Sequence, residues 1–217
     1  MSVIQPFTSH TPFDQVVADI CEKGWSVTDG FFSEELIEAL LADISELDNA
    51  YMKQAGVGRS SDHQVVLNRR SDYIRWIDPV TSARAAFLDA MSELRLAFNR
   101  RLFMGLWDYE AHFARYEEGA FYEKHVDAFK GKSNRVLSTV LYLNEAWGDQ
   151  DGGDFVLFDE QDENKEVGRY APIKGRLAVF LSEDFPHEVL TAKRTRHSIA
   201  GWFRVNNSIQ NNVDPGQ

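Results

Sequence analysis

The chain has 217 residues, 43% of them hydrophobic and 26% charged, with 34 acidic against 23 basic side chains and a formal net charge of −11. That length suits one enzyme-sized domain with an ample core, and the acidic balance excludes nucleic acid as a partner, because gripping its backbone needs concentrated Lys and Arg. No apolar run reaches membrane-spanning length and the opening residues lack a basic start followed by an apolar stretch, so no membrane partner and a cytoplasmic location are expected.

Helices come first. Thr11-Pro12 reads as a cap and first-turn proline, after which Phe13, Val16, Val17, Ile20 and Cys21 recur at helical spacing until Gly24. Cys21, the single cysteine, excludes an internal disulfide and a cysteine-built zinc site, and its place in the stripe predicts a buried structural thiol. Trp25–Thr28 reads as a short strand. Ser33 opens a second helix striped by Leu36, Ile37, Leu40, Leu41, Ile44 and Leu47, and a third runs from Thr81 to Arg101 with Phe87, Met91, Leu94 and Phe98 inward. Residues 56–79 lie between them. They are rich in Gly, Ser, Asp and Arg, hold two strand-like pieces (Gln64–Leu67 and Tyr73–Trp76), and predict a mobile substrate loop made locally basic by Arg59, Arg69, Arg70 and Arg75.

From Trp107 the pattern changes to short strands with Gly- and Asp-rich turns: Trp107–Tyr116, Phe121–Asp127, Arg135–Leu143, Asp154–Phe158, Val167–Ile173, Arg176–Leu181, His187–Leu190 and Thr195–Val205. Eight strands behind three helices predict a single mainly β domain, a double-stranded β-helix (jelly roll) braced by helices on one sheet, with a flexible tail at 206–217.

Within these strands His125 and Asp127 stand two apart, so an extended backbone sends both to one face, where one cation takes both. His187 supplies a third ligand. Two imidazoles and a carboxylate with open positions suit non-haem Fe(II) oxygenases. The residual positive charge of such a site favours an anionic chelator; 2-oxoglutarate fits, and Arg196 offers a forked donor to its far carboxylate. The turn-like Thr191-Ala-Lys-Arg194 predicts His187 and Arg196 on neighbouring antiparallel strands. Alternation puts Arg196, Ser198, Ala200 and Trp202 on one pocket-lining face, with Tyr142 placed to add its hydroxyl. His197 falls on the opposite face, and His10, His63 and His112 have no partner arrangement that suggests a site.

Tyr122-x-x-His125-Val-Asp127, Tyr142-Leu-Asn144, Gly152-Gly153, Pro186-His-Glu-Val189, Thr195-Arg196, Ile199 and Trp202 together resemble the prolyl hydroxylases of the hypoxia-inducible-factor, or EGL-nine, type. Arg70-Ser-Asp-Tyr-Ile-Arg-Trp76 resembles that family's Arg-x-Asp-x-Ile-x-Trp pattern. The resemblance implies peptidyl-proline hydroxylation in which 2-oxoglutarate is split to succinate and carbon dioxide, with ascorbate keeping the iron reduced. It implies His125, Asp127 and His187 as iron ligands, Arg196 and Tyr142 on the co-substrate carboxylate, Tyr116 and Trp202 beside the co-substrate, and Arg70, Asp72, Trp76 and Tyr122 toward the substrate. The chain is similar to compact bacterial members without an added zinc module, whose resemblance implies a protein substrate such as a translation factor of the elongation factor Tu kind. Glu117-Glu118 and Asp154 depart from the animal enzymes, which carry a proline-glycine turn and an apolar residue there. An oxygenase of a free amino acid or another small molecule, and a non-oxygenase metal-binding cupin, stay open as alternatives; the cupin would have no need of Arg196.

Overall fold

The computed structural model describes residues 12–47, 51–55, 70–129 and 133–206. In chain order these form α1 (Pro12–Lys23), β1 (Trp25–Thr28), α2 (Glu34–Glu46), β2 (Lys53–Gln54), β3 (Tyr73–Trp76), α3 (Ser82–Leu102), β4 (Leu106–Tyr116), β5 (Tyr122–His125) and β6 (Arg135–Tyr142). A 3-10 turn at Asp149–Asp151 leads into β7 (Phe155–Phe158), β8 (Glu166–Tyr170), β9 (Leu177–Leu181), β10 (His187–Val189) and β11 (Arg196–Val205). Gln64–Leu67, Arg59, Arg69 and the tail lie outside the described residues. So does most of the predicted loop, whose described end supplies β3.

All strand pairs are antiparallel. One sheet has the order β1-β9-β6-β11-β4-β3-β2 and the other β5-β10-β7-β8, the two faces of a jelly roll. Period-two alternation decides what each face of the larger sheet does. Phe113, Leu137, Leu141, Ile199 and Phe203 turn outward and bury against Ile37, Leu40, Phe87, Met91, Leu94 and Phe98 of the helices. His112, Ala114 and Tyr116 of β4, with Arg196, Ser198, Ala200 and Trp202 of β11, turn inward around a cavity between the sheets. The expected β11 lining is therefore what the structure shows.

Helix starts follow their caps. Ser33 Oγ accepts the Leu36 N–H, and Thr81 Oγ1 accepts the Arg84 N–H while donating to Asp43 at 2.6 Å, so one cap also ties α3 to α2.

Three expectations are corrected. Cys21 is exposed, because Val16, Val17 and Ile20 complete the buried stripe of α1 and the next residue, 100° further round, falls outside it. His187 and Arg196 are not on neighbouring strands: β10 pairs with β5 and β7 in the smaller sheet, whereas β11 pairs with β4 and β6 in the larger. The chain between them crosses from sheet to sheet rather than turning back as a hairpin. Asp127 lies beyond the end of β5, in a bend, so strand alternation is not what brings it beside His125.

Candidate functional site

Strand register builds the metal-ligating cluster. His187 of β10 is the direct cross-strand partner of His125 in β5, and their rings lie 4.3 Å apart, centroid to centroid. The bend after β5 swings Asp127 in, with Oδ1 3.6 Å from His125 Nε2 and Oδ2 3.7 Å from His187 Nε2. One ligand atom from each of the three residues falls within 4.8 Å of the others, a spacing that suits one shared ion.

The imidazoles are aimed by their own backbone. His125 Nδ1 donates to Glu123 O at 2.7 Å and His187 Nδ1 to Phe185 O at 3.1 Å, and because a carbonyl only accepts, the proton sits on Nδ1 and Nε2 presents its lone pair. Burial, helped by nearby His125, pushes His187 down to about 4, so it is neutral at pH 7. Burial works to raise the Asp127 pKa, but His187, His125 and Arg135 outweigh it and hold the carboxyl well below the ordinary value.

Arg196 enters the cavity from the larger sheet and is 1% exposed. Its guanidinium sits between the rings of Tyr116 and Tyr142, at 4.9 and 5.0 Å from their centroids. Nε donates to Gly153 O and Nη1 to Ser198 Oγ, both neutral acceptors. The Tyr142 hydroxyl is buried with no hydrogen-bond partner among the described residues, and burial, partly offset by Arg196, pushes its pKa up to about 12, so it stays a donor. Gly153 makes this arrangement feasible. It adopts φ +69°, and a Cβ there would stand 3.2 Å from Arg196 Cδ. Asn144 locks the start of β11 from the other side, accepting the His197 N–H and donating to His197 O; His197 is absent from the cavity lining, as alternation predicts.

Arg70, Tyr122 and His125 form a stack on the near side. The Arg70 guanidinium lies 4.7 Å from the Tyr122 ring, which stacks on His125 at 3.6 Å with 19° between planes. Asp72, fully buried, grips Arg70 through both oxygens at 2.6 and 2.9 Å. Burial opposes the Arg70 charge, yet the Asp72 carboxylate outweighs it and holds the pKa above the ordinary arginine value. Trp76 is 44% exposed, with its ring edge-on to His112 at 5.3 Å and 6.4 Å from Trp202. The predicted site residues His125, Asp127, His187, Arg196, Tyr116, Tyr122, Arg70 and Trp202 all line the same cavity; Tyr142, Asp72 and Trp76 are not among its lining residues but contact the lining residues Arg196, Arg70 and Trp202 respectively.

Sequence reasoning missed four residues. His112 lines the cavity, in phase with Ala114 and Tyr116, so alternation along β4 carried that signal. Ser138 and Trp202 both donate to Asp127 Oδ2, at 2.6 and 3.0 Å, giving Trp202 a polar contact as well as an aromatic wall. Arg135 covers the Trp202 ring at 3.4 Å and is held by Glu110; nothing local marks that pair. Among the described residues no helix is long and apolar enough to cross a membrane.

Similarity to known proteins bears on this geometry. A family model described as the 2OG-Fe(II) oxygenase superfamily matches residues 111–204. The crystal structure of a Pseudomonas putida prolyl-4-hydroxylase is 41% identical, with a TM-score of 0.77 and a match covering 88% of this chain and 97% of that one. A Trichoplax adhaerens prolyl hydroxylase, in complex with a hypoxia inducible factor oxygen degradation domain peptide fragment, shares the fold at 24% identity and a TM-score of 0.76, covering 88% of each chain. A prolyl 4-hydroxylase from Phytophthora capsici shares it at 21% and 0.65, covering 94% of this chain and 68% of that one. A jelly roll with a His-Asp-His cluster facing its cavity, matched at that identity over nearly a whole solved relative, belongs to the 2OG-Fe(II) oxygenase superfamily, and the chain is a 2-oxoglutarate-dependent dioxygenase.

Proposed function

We propose that this dioxygenase hydroxylates a prolyl residue in a protein substrate, with Fe(II) held by His125, Asp127 and His187 and the far carboxylate of 2-oxoglutarate held by Arg196 and Tyr142. The observation that carries the co-substrate assignment is the pairing, among the described residues, of a buried guanidinium bonded only to neutral acceptors with a buried hydroxyl that makes no hydrogen bond. Both are costly in a folded interior unless an anion arrives to satisfy them. The donor set fits the metal equally well: two aimed Nε2 atoms and one ionised carboxylate leave a ferrous site with residual positive charge, suited to a keto-acid chelator.

When bound, iron and 2-oxoglutarate supply the activation of dioxygen, with succinate and carbon dioxide as co-products. The protein's part is placement. Tyr116 and Tyr142 hold Arg196 by its faces and Gly153 O holds its Nε, so the fork meets the carboxylate already oriented. Tyr122, stacked on His125 and braced by Arg70 and Asp72, forms a stiff wall beside the metal. Trp76 offers an apolar rim against which a pyrrolidine ring packs.

The similarity to the Pseudomonas putida prolyl-4-hydroxylase supports the prolyl substrate. A reductant such as ascorbate would maintain the ferrous state between turnovers. The test is anaerobic loading with Fe(II), then exposure to air, 2-oxoglutarate and host proteins, a translation factor of the elongation factor Tu kind first among them, with mass spectrometric readout. The reading expects a gain of one oxygen on a proline, absent in His125→Ala and Arg196→Ala. Turnover confined to free amino acids or other small molecules would replace it.

A further inference from the structure

Asp127 stands in a bend, so no strand ladder fixes its carboxylate, and its orientation falls to side chains. Ser138 Oγ and Trp202 Nε1 both donate to Oδ2, and Ser138 is itself braced by Ser182 at 2.9 Å. Trp202 is a long flat lever whose angle determines where that N–H points. Something must hold the lever.

We propose that Glu110 and Arg135 are positioning residues that set the Asp127 carboxylate through the indole of Trp202; this rests on the reading of Asp127 as an iron ligand. The Arg135 guanidinium lies 3.4 Å from the centre of the Trp202 ring, at van der Waals contact. A cation there presses the indole into one plane and draws density from the ring, which sharpens Nε1–H as a donor. Glu110 Oε1 accepts from both Nε and Nη2 of Arg135, at 2.9 and 2.7 Å, so the planar group is held flat along one edge, a grip that lysine has no fork to reproduce.

Register explains how six residues from three strands line up. Trp202 on β11 stands opposite Glu110 on β4 and Ser138 on β6, and Arg204 stands opposite Asp108 and Arg135. Arg204 closes the row, pairing with Asp108 and reaching the second oxygen of Glu110 at 3.2 Å. Asp108 and Arg204 thus continue the row away from the metal-facing carboxylate, beyond the pair that sets it.

The experiment titrates the metal-free protein with Co(II), whose ligand-field absorption reports affinity and coordination geometry without turnover. Glu110→Gln and Arg135→Lys are expected to weaken Co(II) binding about tenfold and to alter the bands, while Asp108→Asn, one link further away, leaves both unchanged. Trp202→Phe keeps the ring under Arg135 but deletes the N–H, and is expected to reproduce the effect if the charge variants fold poorly. Wild-type affinity and spectrum in Glu110→Gln, Arg135→Lys and Trp202→Phe would overturn the positioning role, as would equal weakening by Asp108→Asn. Asp127→Ala separates the two layers: loss of Co(II) in that variant sustains the ligand reading, whereas wild-type binding removes that reading and this proposal with it.

Discussion

Arg196→Met tests whether the buried guanidinium exists for a ligand or for the fold. Removing it deletes two cation–π contacts, about 0.5–2 kcal/mol each, and two hydrogen bonds to neutral acceptors, about 1 kcal/mol each. It also relieves the burial of a charge that no carboxylate of the described residues balances, worth several kcal/mol in the other direction. These contributions nearly cancel, and because each kcal/mol moves the melting temperature of a chain this size by about 2–4 °C, the metal-free variant should melt within about 4 °C of wild type. The ligand-bound states differ far more. Two charge-assisted bonds to a carboxylate are worth about 1.5–3 kcal/mol each, so affinity for 2-oxoglutarate should fall about 100- to 10,000-fold. Differential scanning fluorimetry with anaerobic Fe(II) reads both effects: at a hundredfold excess over Kd, wild type should gain about 2.7 kcal/mol, or about 5–10 °C, and Arg196→Met nothing at the same concentration. An equal ligand-induced shift in both proteins would refute the assignment of Arg196 to the co-substrate.

Tyr142→Phe removes only a hydroxyl that has no hydrogen-bond partner among the described residues, so stability in chemical denaturation should change by less than about 1 kcal/mol while 2-oxoglutarate affinity, measured by calorimetry, falls about tenfold. Gly153→Ala places a side chain at φ +69° and against Arg196 Cδ; the backbone alone costs about 1–2 kcal/mol, and a raised KM for 2-oxoglutarate should accompany the lower melting temperature. Burial, with Arg70 adding to it, pushes His112 down to about 4 from an ordinary 6.5. The unfolded chain therefore takes up the proton first, and this contribution to stability is complete above pH 6.5 and is lost as pH falls through 6.5 toward 4, up to about 3 kcal/mol. Across that window, from pH 7 down to pH 4, wild type should lose up to about 3 kcal/mol that His112→Asn, with nothing to titrate there, keeps, as read from their denaturant midpoints; a constant difference would show that His112 does not titrate this way.

The helices and strands were legible because their signals are local. Val16, Val17 and Ile20, or Phe87, Met91, Leu94 and Phe98, repeat at the spacing of the backbone that buries them, and each is buried where expected. The β11 lining was legible for the same reason, since alternation along one strand needs no knowledge of its neighbours. His112 alternates with Tyr116 into the cavity, yet a histidine without a motif partner carries no sign in the sequence of which cavity it faces. The apolar spacing extends the stripe of α1 to Cys21, whereas the structure ends it at Ile20, a difference of 100° around the helix.

By itself, then, the sequence determined which chemical groups the protein owns and how they are spaced along each segment: two histidines, an aspartate and an arginine in motifs specific enough to name the chemistry. Only the tertiary structure decided that His125 faces His187 across a β5–β10 pair, that Arg196 reaches the cavity from the opposite sheet, and that Glu110 and Arg135 stand behind Trp202. The physical reason is that register and sheet partnership arise from hydrogen bonds between strands distant in the chain. A one-residue slip in any one strand would turn that strand's side chains to the other face while leaving the sequence pattern unchanged.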